Sequence, residues 1–299
     1  ALVEKDDTEK VLVALQDPKK PVIVQVAPSV RVSLGDAFGM EPGAIVTGQM
    51  VTALRLLGFD KVFDTNFGAD LTIMEEGTEF LDRLQHGGVL PMMPSCCPGW
   101  VSYVEKHYSD CLPHLSSTKS PMSIFGAVAK TYYPKAAGID PKDIVTVSVM
   151  PCTAKKFEAA RPEMGREGRQ DVDIVLTTRE LIKLIKYVGL SFGQLPETDF
   201  DSPRGTASGA GAIFGTTGGV MEAALRTVCD KLTGKTLERL DFQEARGFQG
   251  IKECTLEIGG HTLHIAIAHT LKNAEVLMEQ VRKGISPYDF IEVMACPGG

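Results

Sequence analysis

The sequence contains no CxxC pair, although seven cysteines are spread over its 299 residues. This absence excludes the local motifs of zinc ribbons, thioredoxin-like proteins and ferredoxins, so any metal site must be assembled from distant segments. The cysteine count is odd and the spacing irregular, unlike a small secreted domain held together by disulfides. Reduced thiols, some of them metal ligands, are therefore the better interpretation.

Long apolar runs and basic stripes are also missing. No apolar run approaches the roughly 18 residues of a membrane span, and the opening residues ALVEKDDTEK lack a signal-peptide pattern. The net charge of −7 and the absence of any run of five or more basic residues argue against nucleic-acid binding. The hydrophobic share of 43% is enough for a sizeable core, in one large domain or two lobes.

What the chain does contain is an alternation of short apolar runs and amphipathic stretches. The runs PVIVQVAPSV, KVFDT, GGVLPMMP, DIVTVSVM, DVDIVLTT and DFIEVMAC predict strands. Helical stretches such as VRVSLGDAF lie between them, and a hairpin is expected around Gly259–Gly260. This order predicts an α/β fold of two lobes, each a mostly parallel β-sheet flanked by helices. The predicted segments are a lead-in over 1–20, a first lobe over 21–140 and a second lobe over 141–299.

Three of the predicted strands lead directly into cysteine: VLPMMPSCC, VTVSVMPC and FIEVMAC. In open α/β sheets, ligands bind beyond the carboxyl ends of the strands. We therefore expect Cys96, Cys97, Cys152 and Cys296 to converge in the cleft between the lobes, with Val26–Pro28 beside them. Thiolates gathered in this way are typical of an iron–sulfur cluster, whereas a single buried cysteine is more often a small hydrophobic residue.

Three cysteine-containing stretches, PSCCPGW, MPCTAKKFE and EVMACPGG, resemble the signatures of [FeFe]-hydrogenase catalytic domains, the iron-only hydrogenase large subunit family. FGADLTIMEE, LSSTKSP and FGTTGGVMEAALR are similar to the same family, so the resemblance extends from about Pro21 to Gly299. It implies the reversible interconversion of hydrogen with protons and electrons. It also implies an H-cluster, in which a [4Fe–4S] cubane is joined to a two-iron unit with CO, cyanide and a bridging azadithiolate.

Within this resemblance, Cys97, Cys152 and Cys296 match cubane ligands, and thiolates suit this role because soft sulfur binds iron–sulfur clusters. Cys96 matches the thiol that passes protons to the bridging amine. The family has a further cysteine after MACPGG that bridges the cubane and the two-iron unit, and this sequence stops at Gly299 before reaching it. We therefore expect the chain to be a fragment whose first residues follow a ferredoxin-type domain.

A proton path is predicted along one helix face. Glu76, Glu79 and Arg83 are spaced i, i+3 and i+7, which places them on the same side of the predicted helix. The resemblance orders the path as Cys96, Glu76, Ser116, Glu79 and Arg83, from the cluster to the surface. A solvated face with salt bridges is the commoner use of such a pattern. A buried glutamate, in contrast, would have a raised pKa and exchange protons near neutral pH.

Seven further residues match positions around the two-iron unit and are predicted to contact the cofactor: Lys155, Pro28, Ser29, Met150, Pro151, Met294 and Phe214. Lys155 matches a lysine that donates a charge-assisted hydrogen bond to an iron cyanide, whereas the following Lys156 is expected at the surface. Pro28 and Ser29 match the surroundings of the other cyanide. For the methionines, ordinary core packing is the alternative. The sequence departs from the family at Pro94 and Met122.

The leading hypothesis is a catalytic hydrogenase domain. A sensory relative with little turnover and an iron–sulfur assembly factor are alternatives, and the presence of Cys96, Lys155, Glu76 and Glu79 favours catalysis over both. A thiol hydrolase or redox protein is an alternative from an unrelated class. The expected partners are ferredoxin or, as second choice, NAD-linked electron-transfer subunits, together with H-cluster maturation proteins. The thiols suit an anaerobic cytoplasm, with periplasmic export as the alternative.

Overall fold

In this computed structural model, the structure describes residues 5–202, 207–213, 218–235, 243–244 and 250–297. The α-helices within these residues are α1 (Thr8–Leu15), α2 (Val30–Ser33), α3 (Thr47–Leu57), α4 (Asn66–His86), α5 (Pro98–His107), α6 (Pro121–Ala137), α7 (Ala154–Ala159), α8 (Thr178–Tyr187), α9 (Gly209–Ile213), α10 (Gly219–Thr233) and α11 (Leu271–Arg282). The strands within them are β1 (Val22–Val26), β2 (Lys61–Asp64), β3 (Val145–Met150), β4 (Gly165–Arg166), β5 (Arg169–Gln170), β6 (Ile174–Thr177), β7 (Gln243–Glu244), β8 (Ile251–Ile258), β9 (His261–His269) and β10 (Phe290–Met294). The 3₁₀ helices are Gly35–Phe38, Ser109–His114, Pro162–Met164 and Phe192–Gln194.

Backbone contacts divide the described residues into two compact units. The first unit consists of Ala1–Gly68 and Pro121–Ser208, and the second of Ala69–Ser120 and Gly209–Gly299, as far as these ranges are described. The chain therefore alternates between the units, visiting each of them twice. The sequence suggested a boundary at residue 140, but both sides of that position belong to the first unit, because β3 pairs with β1 and β6 pairs with β3.

The first unit is built on a fully parallel sheet with the strand order β2-β1-β3-β6. All residues of β1 are buried, and alternate residues serve opposite faces of the sheet. Val22, Val24 and Val26 belong to a hydrophobic cluster with residues of α3 and α8, whereas Ile23 belongs to a cluster with Phe125 of α6. Helices therefore cover both faces, which confirms the predicted α/β class.

The segment before β1, predicted to be a lead-in, is packed into the first unit. The Asp7 backbone N–H donates to Glu180 Oε1 at 2.7 Å, and Lys156 Nζ donates to both carboxylates at 2.8 Å. Glu180 also forms a capping box with Thr177 at the start of α8. The Lys156 side chain is only 9% exposed, so the expectation of a surface lysine is wrong. Two buried carboxylates need a cation between them, and Lys156 supplies it.

The second unit contains a mixed sheet with the strand order β10-β9-β8-β7. β10 pairs with β9 in parallel, whereas β9, β8 and β7 are antiparallel neighbours. The expectation of a mostly parallel sheet in each lobe is therefore corrected for this unit. The cause is the predicted hairpin. Gly259 and Gly260 have φ of 57° and 83°, a left-handed tight turn that joins antiparallel strands only.

Helices cover both faces of the mixed sheet as well. Ile265 and Ile267 of β9 belong to a hydrophobic cluster with Leu225 of α10, whereas Ala266 between them belongs to a cluster with Trp100 of α5. The second unit is therefore also a sheet enclosed by helices, with loops following the carboxyl ends of β9 and β10. Within the described ranges, no helix combines the length and the apolar composition needed to cross a membrane.

Two predicted elements differ in the structure. GGVLPMMP is not a strand, because the prolines around Met92 and Met93 cannot donate to a ladder, and these methionines form only single bridges. VRVSLGDAF, predicted as one helix, is divided at Leu34 into α2 and the 3₁₀ helix Gly35–Phe38. The other predicted strands and helices are present at the expected places.

Candidate functional site

At the carboxyl edge of the first sheet, the structure brings together residues that follow two neighbouring strands. β1 and β3 are paired with Val26 opposite Val149, and the Ala27 N–H donates to the Val149 carbonyl at 3.0 Å. Because parallel strands end on the same side of a sheet, the residues at their ends share one edge. Five of the predicted site residues lie there: Pro28, Ser29, Met150, Pro151 and Cys152. Their role in binding a cofactor stays a prediction.

Lys155 is held by a buried carboxylate of the same helix. Its Nζ donates to Glu158 Oε2 at 2.6 Å, and the Ser123 hydroxyl donates to Glu158 Oε1 at 2.7 Å. Glu158 and Ser123 are both buried. The Lys155 backbone N–H donates to the Cys152 carbonyl at 3.3 Å. The ammonium group is therefore fixed within one helical turn of a predicted metal ligand instead of moving freely in solvent.

Cys96 and Cys97 directly precede α5 in the second unit, and both are half-buried. Cys97 is the N-cap of the helix, and its carbonyl accepts the Val101 N–H at 3.0 Å. Pro98 begins α5, as its sequence position predicted, because a proline in the first helical turn needs no hydrogen-bond partner for its nitrogen. The helix start thus sets the backbone position of both thiols.

Cys296 follows β10 of the same unit and is exposed. Its segment lies against the start of α5, where a Cβ built on Gly99 would come within 3.3 Å of the Ala295 Cβ. Glycine at position 99 therefore allows the segments that contain Cys97 and Cys296 to approach each other. Two of the three predicted cubane ligands thus lie on adjoining segments of one unit.

The donor set fits an iron–sulfur cluster in its chemistry. None of the seven cysteines is in a disulfide, and thiolates are the ligands that such clusters use. Cys152, the third predicted ligand, belongs to the first unit. Among the residues that the structure describes, no three His, Cys, Asp or Glu side chains are grouped closely enough to hold a metal ion.

Glu76 of α4 is fully buried, and its carboxyl oxygens have no hydrogen-bond partner among the described residues. Burial, followed by the charges of Glu292 and Glu79, raises the pKa of Glu76 to about 8. The backbone N–H of Ser95, next to Cys96, lowers the pKa of Glu76, although it does not form a hydrogen bond with the carboxyl group. The raised pKa favours the protonated form of Glu76 at neutral pH, and its role in a proton path stays a prediction.

Glu79 is the centre of a hydrogen-bond network on the next turn of α4. The Ser116 hydroxyl donates to Glu79 Oε2 at 2.8 Å, and the Ser117 backbone N–H donates to the same oxygen at 3.0 Å. On the other side, Arg83 donates to Glu79 Oε1 at 2.6 Å. A carboxylate with donors on both oxygens has a fixed orientation, and here one of its donors is the buried Ser116.

Arg83 is fixed in turn by backbone carbonyls. It donates to the Val89 carbonyl at 3.0 Å and to the Leu115 carbonyl at 2.9 Å, and its side chain is only 13% exposed. Hydrogen bonds therefore connect Ser116 and Arg83 through Glu79, and the role of these residues in a proton path stays a prediction. This is a packed network rather than the solvated face that the spacing also allowed.

Met294 ends β10 and is half-buried directly before the Cys296 segment. Its carbonyl accepts the Thr270 backbone N–H at 2.8 Å. Thr270 has a φ of 70°, which is rare for a β-branched residue and indicates a strand end held in place by its surroundings. Phe214, the remaining predicted contact, lies outside the described residues.

The sequence reasoning missed Glu292. This residue of β10 is 1% exposed, and its carboxylate accepts the backbone N–H groups of Gly218 at 3.1 Å and Met221 at 2.9 Å. The sequence contains a sign of its special position, because Glu292 is the one charged residue in an apolar strand that leads into cysteine. Carboxylates are almost never fully buried without partners.

Fold and site together define an α/β protein in which Cys152 and Cys296 follow strand ends, Cys96 and Cys97 precede a helix, and these thiols suit an iron–sulfur cofactor. The family model "Iron only hydrogenase large subunit, C-terminal domain" matches residues 20–299. The NADP-reducing hydrogenase subunit HndD of Solidesulfovibrio fructosivorans is 53% identical over 305 residues, covering 100% of this chain and 52% of that protein. Iron hydrogenase 1 of Clostridium pasteurianum is 51% identical over 299 residues, with coverage of 100% and 52%.

A solved structure gives the same result for the fold. The apo [FeFe]-hydrogenase HydA1 from Chlamydomonas reinhardtii matches with a TM-score of 0.89 and 43% identity, covering 99% of this chain and 83% of that one. A cytosolic Fe–S cluster assembly factor of Xenopus tropicalis is less similar, at 35% identity over 94% of this chain and 61% of that protein. The chain belongs to the iron-only hydrogenase large subunit family. It spans about half the length of the two curated hydrogenases.

Proposed function

We propose that this chain is the catalytic domain of an [FeFe]-hydrogenase, which reversibly interconverts hydrogen with protons and electrons. The observation that supports this proposal is the fully buried Glu76 carboxyl, which has no hydrogen-bond partner among the described residues and whose pKa is raised by burial. Hydrogen chemistry at a buried metal site needs a proton route to the surface. A domain that only holds a cluster has no need for a buried glutamate with a raised pKa.

The cofactor is proposed to be an H-cluster. Cys97, Cys152 and Cys296 would hold its [4Fe–4S] cubane, since soft thiolate sulfur suits iron. When bound, the two-iron unit with CO, cyanide and azadithiolate would supply the iron at which hydrogen reacts and an amine base. Six described residues are proposed to contact this unit: Lys155, Pro28, Ser29, Met150, Pro151 and Met294.

Five residues of the chain are proposed to form the proton path. The Cys96 thiol exchanges a proton with the cofactor, and the Glu76 carboxyl accepts and returns it. Ser116, whose hydroxyl donates to Glu79 at 2.8 Å, connects the buried and outer parts of the path. Glu79 holds the proton in a network that Arg83 keeps fixed. Each group can release and rebind a proton or orient a neighbour that does so.

The proposed electron partners and location rest on the family and on the thiols. Ferredoxin is the proposed partner, and NAD-linked subunits are the alternative, in keeping with the name of the NADP-reducing relative. Maturation proteins would install the two-iron unit. A reducing cytoplasm suits the cysteines, which are outside disulfides.

Infrared spectroscopy tests the proposal on the full-length protein, reconstituted with iron, sulfide and a synthetic two-iron complex. CO and cyanide stretching bands together with hydrogen evolution are the expected result. Bands without turnover would favour a sensory relative. Cubane loading without binding of the two-iron complex would favour an assembly factor and overturn the proposal.

Cys96→Ala separates the proton relay from cofactor binding. It should retain the infrared bands and lose hydrogen evolution by about 100-fold or more, because a general acid–base group of this kind contributes a factor of that order. Cys254→Ala, which removes a half-buried thiol of β8, is the control and should retain activity. Unchanged turnover in Cys96→Ala would exclude this thiol from the path.

A further inference from the structure

Glu292 is the one acidic residue of β10, and it is almost completely buried. The Glu292 carboxylate accepts hydrogen bonds from the backbone N–H groups of Gly218 and Met221. These groups lie at the N-terminus of α10, a helix of 15 residues. Backbone N–H groups at this position have no partner within the helix. Two amide donors and the positive end of a helix dipole stabilise a carboxylate in its ionised form.

Glu76 faces the same region of the second unit. Phe80, one helical turn after Glu76, packs edge-on against Phe290 of β10 with ring centroids 5.1 Å apart. Phe290 and Glu292 share a strand face, since they are two residues apart. The distance along α4 from Phe80 to Glu76, one helical turn of about 5.4 Å, is similar to the distance along β10 from Phe290 to Glu292, two residues or about 6.6 Å. The two glutamates therefore extend from the same pair of packed faces, and the charge of Glu292 acts on Glu76.

The other surroundings of Glu76 contain few charges. Glu79 acts from its own helix, and the loop before α5 presents a backbone N–H. α10 packs against Gly77 of α4 with the side chains of Thr227 and Val228, which are uncharged. No cation is among the described groups that act on Glu76.

Ionisation of both carboxyl groups at once is unfavourable, because both are buried and no cation is among the described groups that act on Glu76. The Glu292 carboxylate accepts two backbone N–H groups, whereas the Glu76 carboxyl has no hydrogen-bond partner among the described residues. The negative charge therefore belongs on Glu292 and the proton on Glu76. The pKa values follow the same order. Burial raises the pKa of Glu292 to about 7 against the opposing amides of Met221 and Gly218, whereas the pKa of Glu76 is about 8.

We propose that Glu292 is a positioning residue of the proton path: it holds the negative charge of the pair and thereby keeps the proton on Glu76. The exchange of this proton with Cys96, in which an O–H bond breaks as an S–H bond forms, rests on the proposed function. A purely structural role as the cap of α10 gives a different expectation. Loss of Glu292 would then weaken the fold without changing the protonation of Glu76.

The test follows the carbonyl band of the protonated Glu76 carboxyl by infrared difference spectroscopy across pH, in the full-length protein. Glu76→Gln identifies the band by its disappearance. In Glu292→Gln, the band should be lost at a pH about one unit lower than in the wild type, a tenfold decrease in proton affinity. Glu257→Gln removes an exposed charge from β8 of the same sheet and should leave the band unchanged. An unshifted band in a folded Glu292→Gln protein overturns the proposal.

A reciprocal measurement keeps the proposal testable if Glu292→Gln does not fold. Because Glu76 keeps its proton while Glu292 ionises, Glu76→Gln should leave the titration of Glu292 nearly unchanged. A Glu292 pKa that falls by about one unit or more in Glu76→Gln would mean that Glu76 carries the charge of the pair in the wild type, and would overturn the proposal. The bands are measured whether or not the protein turns over hydrogen, so the proposed function can fail separately. If the protein is active, the pH profile of hydrogen evolution should move with the band.

Discussion

At the scale of single residues, the network around Glu79 distinguishes a buried donor from an exposed one. Ser116 is buried and donates to Glu79 at 2.8 Å, whereas the exposed Ser117 donates its hydroxyl to the same oxygen at 3.2 Å. Ser116→Ala should lower hydrogen evolution by about tenfold or more, because it removes the hydroxyl on the buried side of the path. Ser117→Ala is the matched control and should retain most activity. Equal losses at equal cofactor loading would contradict this role of Ser116.

Glu76 also predicts how stability changes with pH. Its pKa in the folded protein, about 8, lies above the ordinary value of 4.5. Between these values the folded protein binds a proton that the unfolded chain has released. Stability should therefore fall as the pH rises from about 5 to 8, by at most about 1.4 kcal/mol per pH unit for one such group.

Glu76→Gln removes this dependence, so the variant should gain stability relative to the wild type as the pH rises. Chemical denaturation at about pH 5 and about pH 8 measures the difference in the free energy of unfolding. The exposed Glu257→Gln serves as the control and should follow the wild-type curve. Parallel curves for Glu76→Gln and the wild type would show that Glu76 is ionised in the folded state.

Individual site residues differ in how far the sequence could predict them. Glu76, Glu79 and Arg83 were placed on one helix face by their spacing, and the structure has them on α4. The burial of Lys156 and Glu292 was not predicted, because it depends on partners that are distant in sequence. Periodicity assigns a residue to a face, but it does not reveal whether a charge on that face finds a partner.

At the scale of elements, the start of α5 and the end of β10 meet at Gly99. Gly99→Ala would place a Cβ 3.3 Å from the Ala295 Cβ and move apart the segments of Cys97 and Cys296. Alanine is better than glycine in a helix by about 1 kcal/mol, so the fold should not weaken. We expect less iron per chain after reconstitution, at an unchanged melting temperature.

The control for this substitution is Gly209→Ala in α9, where a new Cβ has nothing within 4 Å. This variant should load the same amount of iron as the wild type. Equal iron content in both variants would mean that Ala295 moves aside without disturbing either thiol.

Elements with strong local signals were predicted well, and those that depend on distant partners were not. β3 is a β-branched run, and Gly259–Gly260 mark a hairpin, so both could be found from short windows. GGVLPMMP had the apolar content of a strand, but its prolines prevent a ladder. The parallel pairing of β10 with β9 in an otherwise antiparallel sheet could not be predicted, since no local signal determines strand order.

At the scale of the whole molecule, Lys156 connects the N-terminal segment to the first sheet. Burial works to raise the pKa of Asp7 and of Glu180, but their hydrogen bonds, including those from Lys156, leave both pKa values lowered. Lys156→Met would leave two buried carboxylates without their shared cation. It should lower the free energy of unfolding by about 3 kcal/mol, and this loss should shrink as the pH falls and the carboxylates become protonated.

Lys183→Met is the control, because its ion pair with Asp6 is exposed and should contribute little to stability. Hydrogen exchange of α1 should increase in Lys156→Met and remain slow in Lys183→Met. Equal destabilisation of the two variants would mean that the buried cluster is no stronger than a surface pair.

During synthesis on the ribosome, the alternation of the chain between two units delays the completion of both. β1 and β2 emerge before residues 69–120, but their sheet is complete only after β3 and β6 have been made. At about 5–20 residues per second, this interval is on the order of ten seconds. During this interval, β1 of the nascent chain lacks its neighbour β3. The yield of folded protein should therefore depend on translation speed and on chaperones more strongly than for a protein whose domains are made one after the other.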